Sequence, residues 1–296
     1  MAEALEGRSH FVTTVIEHPA TTRPCAWLEK HERSVTRIGV DPDGRARVEE
    51  AQSAIGGDTA LVTVMHSNNE TGVLQPVAEL ATLAHAAGAV LHTDAAQSLG
   101  KVPVNVRALD VDLLSVAGHK LYAPKGVGAL YVRRGTPLEP FARGASHERG
   151  LRPGTENVAS IVGLGAACEA IGRDLDAAAS RMRTLRDSLW DRLEAAILGL
   201  ALNGHRELRL PNTLNVRFPR ATGDAVLTGA PEIAASTGSA CHEGHESASA
   251  VILAMGVAPE EALGSVRLTL GRSTTEDDVA RAGEALVRSW RRLVGE

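Results

Sequence analysis

LSVAGHKLYAPKG, Leu114 to Gly126, ends an apolar run on a Gly-His-Lys triplet. Leu113, Leu114, Val116 and Ala117 have the near-continuous apolar character of a buried strand. In open α/β sheets, ligands bind outside the carboxyl ends of such strands. Lys120 is therefore expected at the rim of a site, where desolvation or a neighbouring cation lowers an amine's pKa toward Schiff-base chemistry. Taken alone, the triplet reads more readily as a solvated turn. Upstream, VLHTDAAQSLGK (Val90 to Lys101) places a second apolar strand, Ala89 to His92, ahead of Asp94 and Gln97. A carboxylate at a strand end near such a lysine is what pyridoxal phosphate needs opposite its pyridine nitrogen, because it keeps that nitrogen protonated and the ring an electron sink. Asp94 also reads as a helix N-cap before Ala95 and Ala96.

Working outward, Phe11 to Ile16 is a β-branched run leading to His18 and Pro19, a strand, a turn and a helix with proline in its first turn. Ala60 to Met65 predicts a buried strand, and Val77, Leu80, Ala81 and Ala84 the apolar face of a helix. With Ala89 to His92 as the next strand, the unit is βαβ, hence a right-handed crossover in a largely parallel sheet. Val127 to Val132 predicts a strand forming a hairpin with the Lys120 region. From about Asn157 the pattern turns helical, with Met182, Leu185, Leu189 and Leu193 on one face. Strands follow at Thr213 to Phe218 and Val266 to Leu270, then a last helix carrying Val279, Ala282, Leu286, Trp290 and Leu293, capped by Thr275 and Asp278. The fold class is α/β, with a large domain over residues 1–173 and a smaller α+β domain over 174–296.

The 296 residues are 44% hydrophobic with a formal net charge of -5, enough for one or two domains with a real core. Acidic and basic residues nearly balance, 36 against 31, and no basic block favours nucleic acid. No apolar run reaches spanning length and MAEALEGRSH lacks the pattern of a secretory signal, so a cytoplasmic protein that binds no membrane is expected. Cys25, Cys168 and Cys241 have no C-x-x-C spacing and predict neither a disulfide framework nor a zinc site. Cys168, in a small-residue helical stretch, is expected in the core.

Two further side chains have their own chemical logic. Arg267, in a strand pattern after Ser265 and Val266, offers a guanidinium fork suited to an amino-acid carboxylate, or to an acid on the same sheet. Cys241 ends the small-residue run Ser236 to Ala240, suited to a loop that must swing, and His242 and His245 follow it. A nearby histidine raises the thiolate fraction. Cys-His-x-x-His without a fourth ligand is a weak metal signal, and no metal is expected.

Eight ordered blocks resemble the pyridoxal-phosphate cysteine desulfurases of the NifS and IscS type, within the class V aminotransferases. They are EHPA (Glu17 to Ala20), MHSNNETG (Met65 to Gly72), HTDAAQS (His92 to Ser98), AGHKLYAPKG (Ala117 to Gly126), SHERGLRPGTEN (Ser146 to Asn157), LPNTLNV (Leu210 to Val216), STGSAC (Ser236 to Cys241) and SVRLTLGR (Ser265 to Arg272). The resemblance implies fold type I and a homodimer. It implies that Lys120 holds pyridoxal phosphate and then serves as base, that Asp94 faces the ring nitrogen, and that Gln97 bonds the phenolic oxygen. By the same resemblance His18 stacks on the ring, Asn69 contacts the substrate adduct, His119 contacts the phosphate, and Thr155 reaches the phosphate bound by the other subunit. Arg267 then anchors the substrate carboxylate, and the Cys241 thiolate takes sulfur from L-cysteine to leave L-alanine and a persulfide. That sulfur passes to an iron-sulfur scaffold or a thiolation protein.

Two alternatives remain at this level. Selenocysteine lyase is similar at VAGHK, RPGTEN and Ala240-Cys241-His242. The chain also departs from the family pattern: the glycine-rich phosphate loop that precedes EHPA in members has no counterpart, and Ala117 stands where many desulfurases carry serine. A chain truncated in this way is expected to bind the cofactor weakly, or to act as a binding or regulatory protein.

Overall fold

The computed structural model describes residues 7–238 and 247–296. They form two compact units, one built from Met1–Gly39, Ala46–His66 and Gln75–Asp174, the other from Val40–Arg45, Ser67–Leu74 and Leu175–Glu296. Two short segments of the amino-terminal half thus belong with the second unit.

The first unit holds a six-stranded sheet of order β2-β1-β3-β4-β5-β6. Its strands are β1 (His10–Thr14), β2 (Ser34–Ile38), β3 (Thr59–Thr63), β4 (Val90–Asp94), β5 (Leu113–Ala117) and β6 (Gly128–Val132). All neighbours pair in parallel except β5 and β6, which form the expected antiparallel hairpin. Its helices are α1 (Pro19–Lys30), α2 (Val48–Ala54), α3 (Val77–Ala86) and α4 (Val158–Gly172). Val77, Leu80, Ala81 and Ala84 of α3 are buried with Val12, Val62, Leu91 and Leu114 of the sheet in one core. Parallel β1, β3, β4 and β5 consequently end at one edge, and the chain leaves each there.

α4 is mostly apolar, with Ser160 and Glu169 its polar residues, and it buries Leu164 and Ile171 against Leu121 and Ala123 just after β5. Its other side is bare: Val158 is 65% and Val162 64% exposed. Cys168 lies on the exposed side, which corrects the expectation of a core thiol, whereas Cys25 in α1 is buried. A helix without a polar face does not reveal from its sequence which side meets its own unit.

The second unit contains α5 (Leu175–Ala196), β7 (Ala201–Leu202), β8 (Thr213–Arg217), α6 (Gly223–Thr228), α7 (Ala250–Ala254), α8 (Pro259–Ala262), β9 (Ser265–Thr269) and α9 (Glu276–Val294). Its sheet is antiparallel, in the order β7-β8-β9. Met182, Leu185, Leu189 and Leu193 are buried along α5 as their spacing predicts. Thr275 and Asp278 close a capping box on α9, each bonding the other's backbone N–H. Leu293, expected on the buried face of α9, is 46% exposed.

Candidate active site

The sheet edge of the first unit gathers most of the candidate residues. His18 follows β1 and caps α1, its Nδ1 accepting from Ala20 N at 3.1 Å. Asp94 is the last residue of β4, and its Oδ1 accepts from Ala96 N at 2.8 Å. The capping bond read from sequence is therefore real, but it closes a turn rather than a helix. Gln97 is half-buried in that turn. Ser98, in the same turn, bonds buried His66 at 2.7 Å. Burial lowers His66 to about 4, so its ring is neutral. His66 N donates to Asp94 O at 2.8 Å, tying the exits of β3 and β4 together.

One strand over, β5 runs into a single 3-10 turn, Gly118–Leu121, which carries His119 and Lys120, both exposed. Tyr122 ends that turn in the left-handed region, φ 68°. Gly118 has no alternative, because a Cβ there would stand 2.7 Å from the Val127 carbonyl oxygen. Lys101 Nζ donates to the Lys120 carbonyl at 3.2 Å. Burial, and then the charge of Lys120, bring Lys101 down to about 8. It remains mostly a cation at neutral pH, so a second amine stands beside the turn that carries Lys120.

Glu17 was not singled out by its sequence, yet it is buried beneath this edge. Its Oε1 accepts from Thr14 Oγ1 at 2.7 Å, and both its oxygens lie within 3.1 Å of Met65 N. Burial, reinforced by the charge of Asp94, raises it to about 7 against the pull of those bonds. Thr155 is exposed in the loop before α4, whose N-cap Asn157 bonds Ser160 N at 3.2 Å.

The remaining candidates lie in the second unit. Arg267, on β9, donates from Nη1 to the Asn69 carbonyl at 2.8 Å. It thereby joins the substrate-anchor candidate to the NNETG loop. That loop is also held by buried Arg209, which donates to the Thr71 carbonyl at 2.7 Å. Glu70 accepts from Ser249 Oγ at 2.5 Å. Cys241, His242 and His245 lie outside the described residues. A cleft of about 790 Å³ bordered by Arg217, Arg220 and Glu261 contains none of these groups.

The class V aminotransferase profile matches residues 1–282. The chain is 47% identical over 282 residues to a cysteine desulfurase of Gluconacetobacter diazotrophicus, covering 94% of this chain and 70% of that one. The chain belongs to the cysteine desulfurase family of the class V aminotransferases. A NifS cysteine desulfurase of Azotobacter vinelandii is 44% identical, covering 93% of this chain and 69% of its own. A solved structure described as a NifS-like protein superposes with a TM-score of 0.89 at 34% identity, over all of this chain and 78% of its own. The fold is therefore type I of the pyridoxal-phosphate-dependent transferases, a family that depends on pyridoxal phosphate in general.

The donor set at that edge fits pyridoxal phosphate: an amine to anchor a carbonyl carbon, a carboxylate to face a ring nitrogen, an imidazole, and an amide that bonds a phenolic oxygen. Sequence reasoning passed over Glu17, Glu70 and Lys101, although all three lie within or beside the quoted blocks. The available signal was an ionisable residue at the exit of an apolar strand or inside a turn that is otherwise small and polar.

Proposed function

We propose that this chain is a pyridoxal-phosphate-dependent cysteine desulfurase that converts L-cysteine to L-alanine and carries the sulfur as a persulfide on Cys241. The observation that carries the reading is the placement of Asp94 and Lys120 at the exits of neighbouring parallel strands, in a chain related to desulfurases over nearly its whole length. Residues 1–173, apart from Val40–Arg45 and Ser67–Leu74, serve as the cofactor domain and 174–296 as the smaller one.

Bound at the strand edge, pyridoxal phosphate supplies an electron sink for charge developing at the substrate α-carbon. The Lys120 amine would anchor it, and Lys120 is the base that would take the α-proton. Asp94 holds a proton on the ring nitrogen. His18 covers the ring, Gln97 bonds its phenolic oxygen, and His119 contacts the phosphate. Arg267 grips the substrate carboxylate with a charge-assisted fork, and Asn69 orients the amino acid beside it. The Cys241 thiolate attacks the substrate sulfur. As that S–S bond forms, the substrate C–S bond breaks and its electron pair stays on the β-carbon; a proton taken up there, and the α-proton returned by Lys120, give alanine.

The working unit is a homodimer. Its support is the bare apolar side of α4, where Val158, Ile161 and Val162 face outward, and fully exposed Phe141. Isolated monomers rarely present such a patch to water. Thr155, exposed in the loop before α4, then reaches a phosphate held by the second subunit. An iron-sulfur scaffold or thiolation protein then receives the sulfur, in the cytoplasm. Among the described residues no helix is long and apolar enough to cross a membrane.

The test is Cys241→Ser. It is expected to bind pyridoxal phosphate and to respond to L-cysteine by a change in absorbance, yet to form neither persulfide nor alanine, while Cys25→Ser and Cys168→Ser stay active. Alanine production by Cys241→Ser contradicts the reading.

A further inference from the structure

We infer that Lys101 is a positioning residue for Lys120: from the turn that follows Asp94 it holds the Lys120 carbonyl, and so sets the span between the two residues read as cofactor ligands. The inference rests on that reading of Lys120 and Asp94, while the geometry stands without it. Asp94 ends β4, and the chain then folds back on itself. Ala95 N donates to Ser115 O of β5 at 3.0 Å, Ser98 N and Leu99 N to Ala95 O at 3.0 and 3.1 Å, and Lys101 N to Ser98 O at 3.0 Å. Gly100, at a φ of +79°, allows the last step. The backbone of Lys101 is thereby fixed relative to Asp94. From that base its side chain crosses to the next strand exit, where Nζ donates to the Lys120 carbonyl at 3.2 Å. Leu99 of the first turn and Leu121 of the second pack in one small cluster, so the two turns are contiguous.

The turn that Lys101 reaches is the part of this edge the ladders do not hold. β5 pairs with β6 as far as Ala117, and beyond it the Gly118 carbonyl takes Tyr122 N and Ala123 N. Tyr122 is left-handed at φ 68°, a conformation that a residue with a Cβ adopts at a cost. A hold on the Lys120 carbonyl fixes the peptide between Lys120 and Leu121, just ahead of that strained step. Packing alone does not account for an amine at this place. Burial and the Lys120 charge both act against the Lys101 ammonium, and methionine would fill similar space without either penalty. The charge-assisted bond to the carbonyl is what the amine adds.

The ladders thus set where β4 and β5 end, and Lys101 sets the one peptide beyond them that adjoins the Lys120 side chain. A reacting group moved from its productive geometry loses rate steeply. Lys101 accordingly acts on the chemistry of the Lys120 amine and not on substrate binding.

The experiment uses the full chain and three variants. In unloaded Lys101→Met, amide exchange at Tyr122 and Ala123 should accelerate about 10- to 100-fold relative to the amides of β4 and β5, the loss of one charge-assisted bond. Mixed with pyridoxal phosphate, the same variant should form the borohydride-fixed adduct on Lys120 more slowly by a similar factor, and with L-cysteine its kcat should fall with KM unchanged. Lys101→Arg, which keeps a charged donor, should recover exchange and adduct rate, a recovery that a space-filling role does not predict. Lys101→Gln, polar but shorter in reach, replaces Lys101→Met if that variant does not fold, with the same losses expected. Turn amides that exchange as in the parent once the amine is gone, or Lys101→Arg as impaired as Lys101→Met, overturn the inference. A parent chain that forms no adduct on Lys120 defeats the functional reading alone, and the exchange pattern still decides whether Lys101 holds the turn.

Discussion

The two groups of candidate residues, one on each unit, are fixed in different ways. At the sheet edge, Asp94 and Lys120 are placed by backbone: parallel ladders set where β4 and β5 end, and a single turn of helix presents the amine. In the second unit, Arg267, Asn69 and Glu70 are placed by side chains that bond loop carbonyls and hydroxyls. A ladder spreads its cost over many bonds, whereas a side-chain tether fails when one group is removed. Substitutions should therefore change chemistry without changing structure in the first half, and change both in the second.

Asp94→Asn puts the largest strain on that contrast. Asparagine keeps an oxygen for Ala96 N, so the turn survives and only the charge is lost. The rate with L-cysteine should fall about 10²- to 10³-fold, the scale of losing one preorganised electrostatic partner, with unfolding unchanged. A matching fall in stability would show that the turn and not the charge was removed.

Glu17→Gln probes the buried support beneath the same edge. Glu17 titrates near 7 in the folded chain against an ordinary 4.5, because burial disfavours its charge. Its contribution to stability is full below the ordinary value and is lost as pH rises through 7. Once the pH is above both values, the ionised acid costs about 3 kcal/mol relative to acid pH. Glutamine carries no such charge, so the urea stability of the variant relative to the parent should improve by about that amount between pH 4.5 and 8. A pH-independent difference would mean that Glu17 does not titrate in that range.

Arg267→Lys gives the smallest expected effect and tests the other half. Lysine keeps the charge but loses the fork, so KM for L-cysteine should rise about tenfold. The Asn69 loop, deprived of a guanidinium bond to its carbonyl, should exchange faster in the same variant. A KM change with an unaltered loop would place Arg267 with the backbone-fixed group instead.

The same contrast explains what the sequence made legible. Strands β1, β3, β4 and β5 and helix α3 were readable because burial imposes a periodicity, and the chemistry at their exits followed from where they stop. β2 was missed because it is an edge strand with an exposed, polar pattern, and α6, α7 and α8 are too short to show a face. Cys168 was misplaced because α4 is mostly apolar and its sequence marks no clear polar face. Glu17 and Glu70 were inside quoted blocks, but an acid becomes informative only once its burial is known, and burial is a property of the assembled fold.

The central claim is that Lys120, at the exit of β5, carries the cofactor opposite Asp94. Borohydride reduction of the pyridoxal-phosphate-loaded protein, followed by peptide mapping, tests it directly. The reduced adduct is expected on Lys120, and Lys120→Ala should show neither the adduct nor the visible absorbance band. An adduct on Lys101, or one that persists on any lysine in Lys120→Ala, contradicts the account.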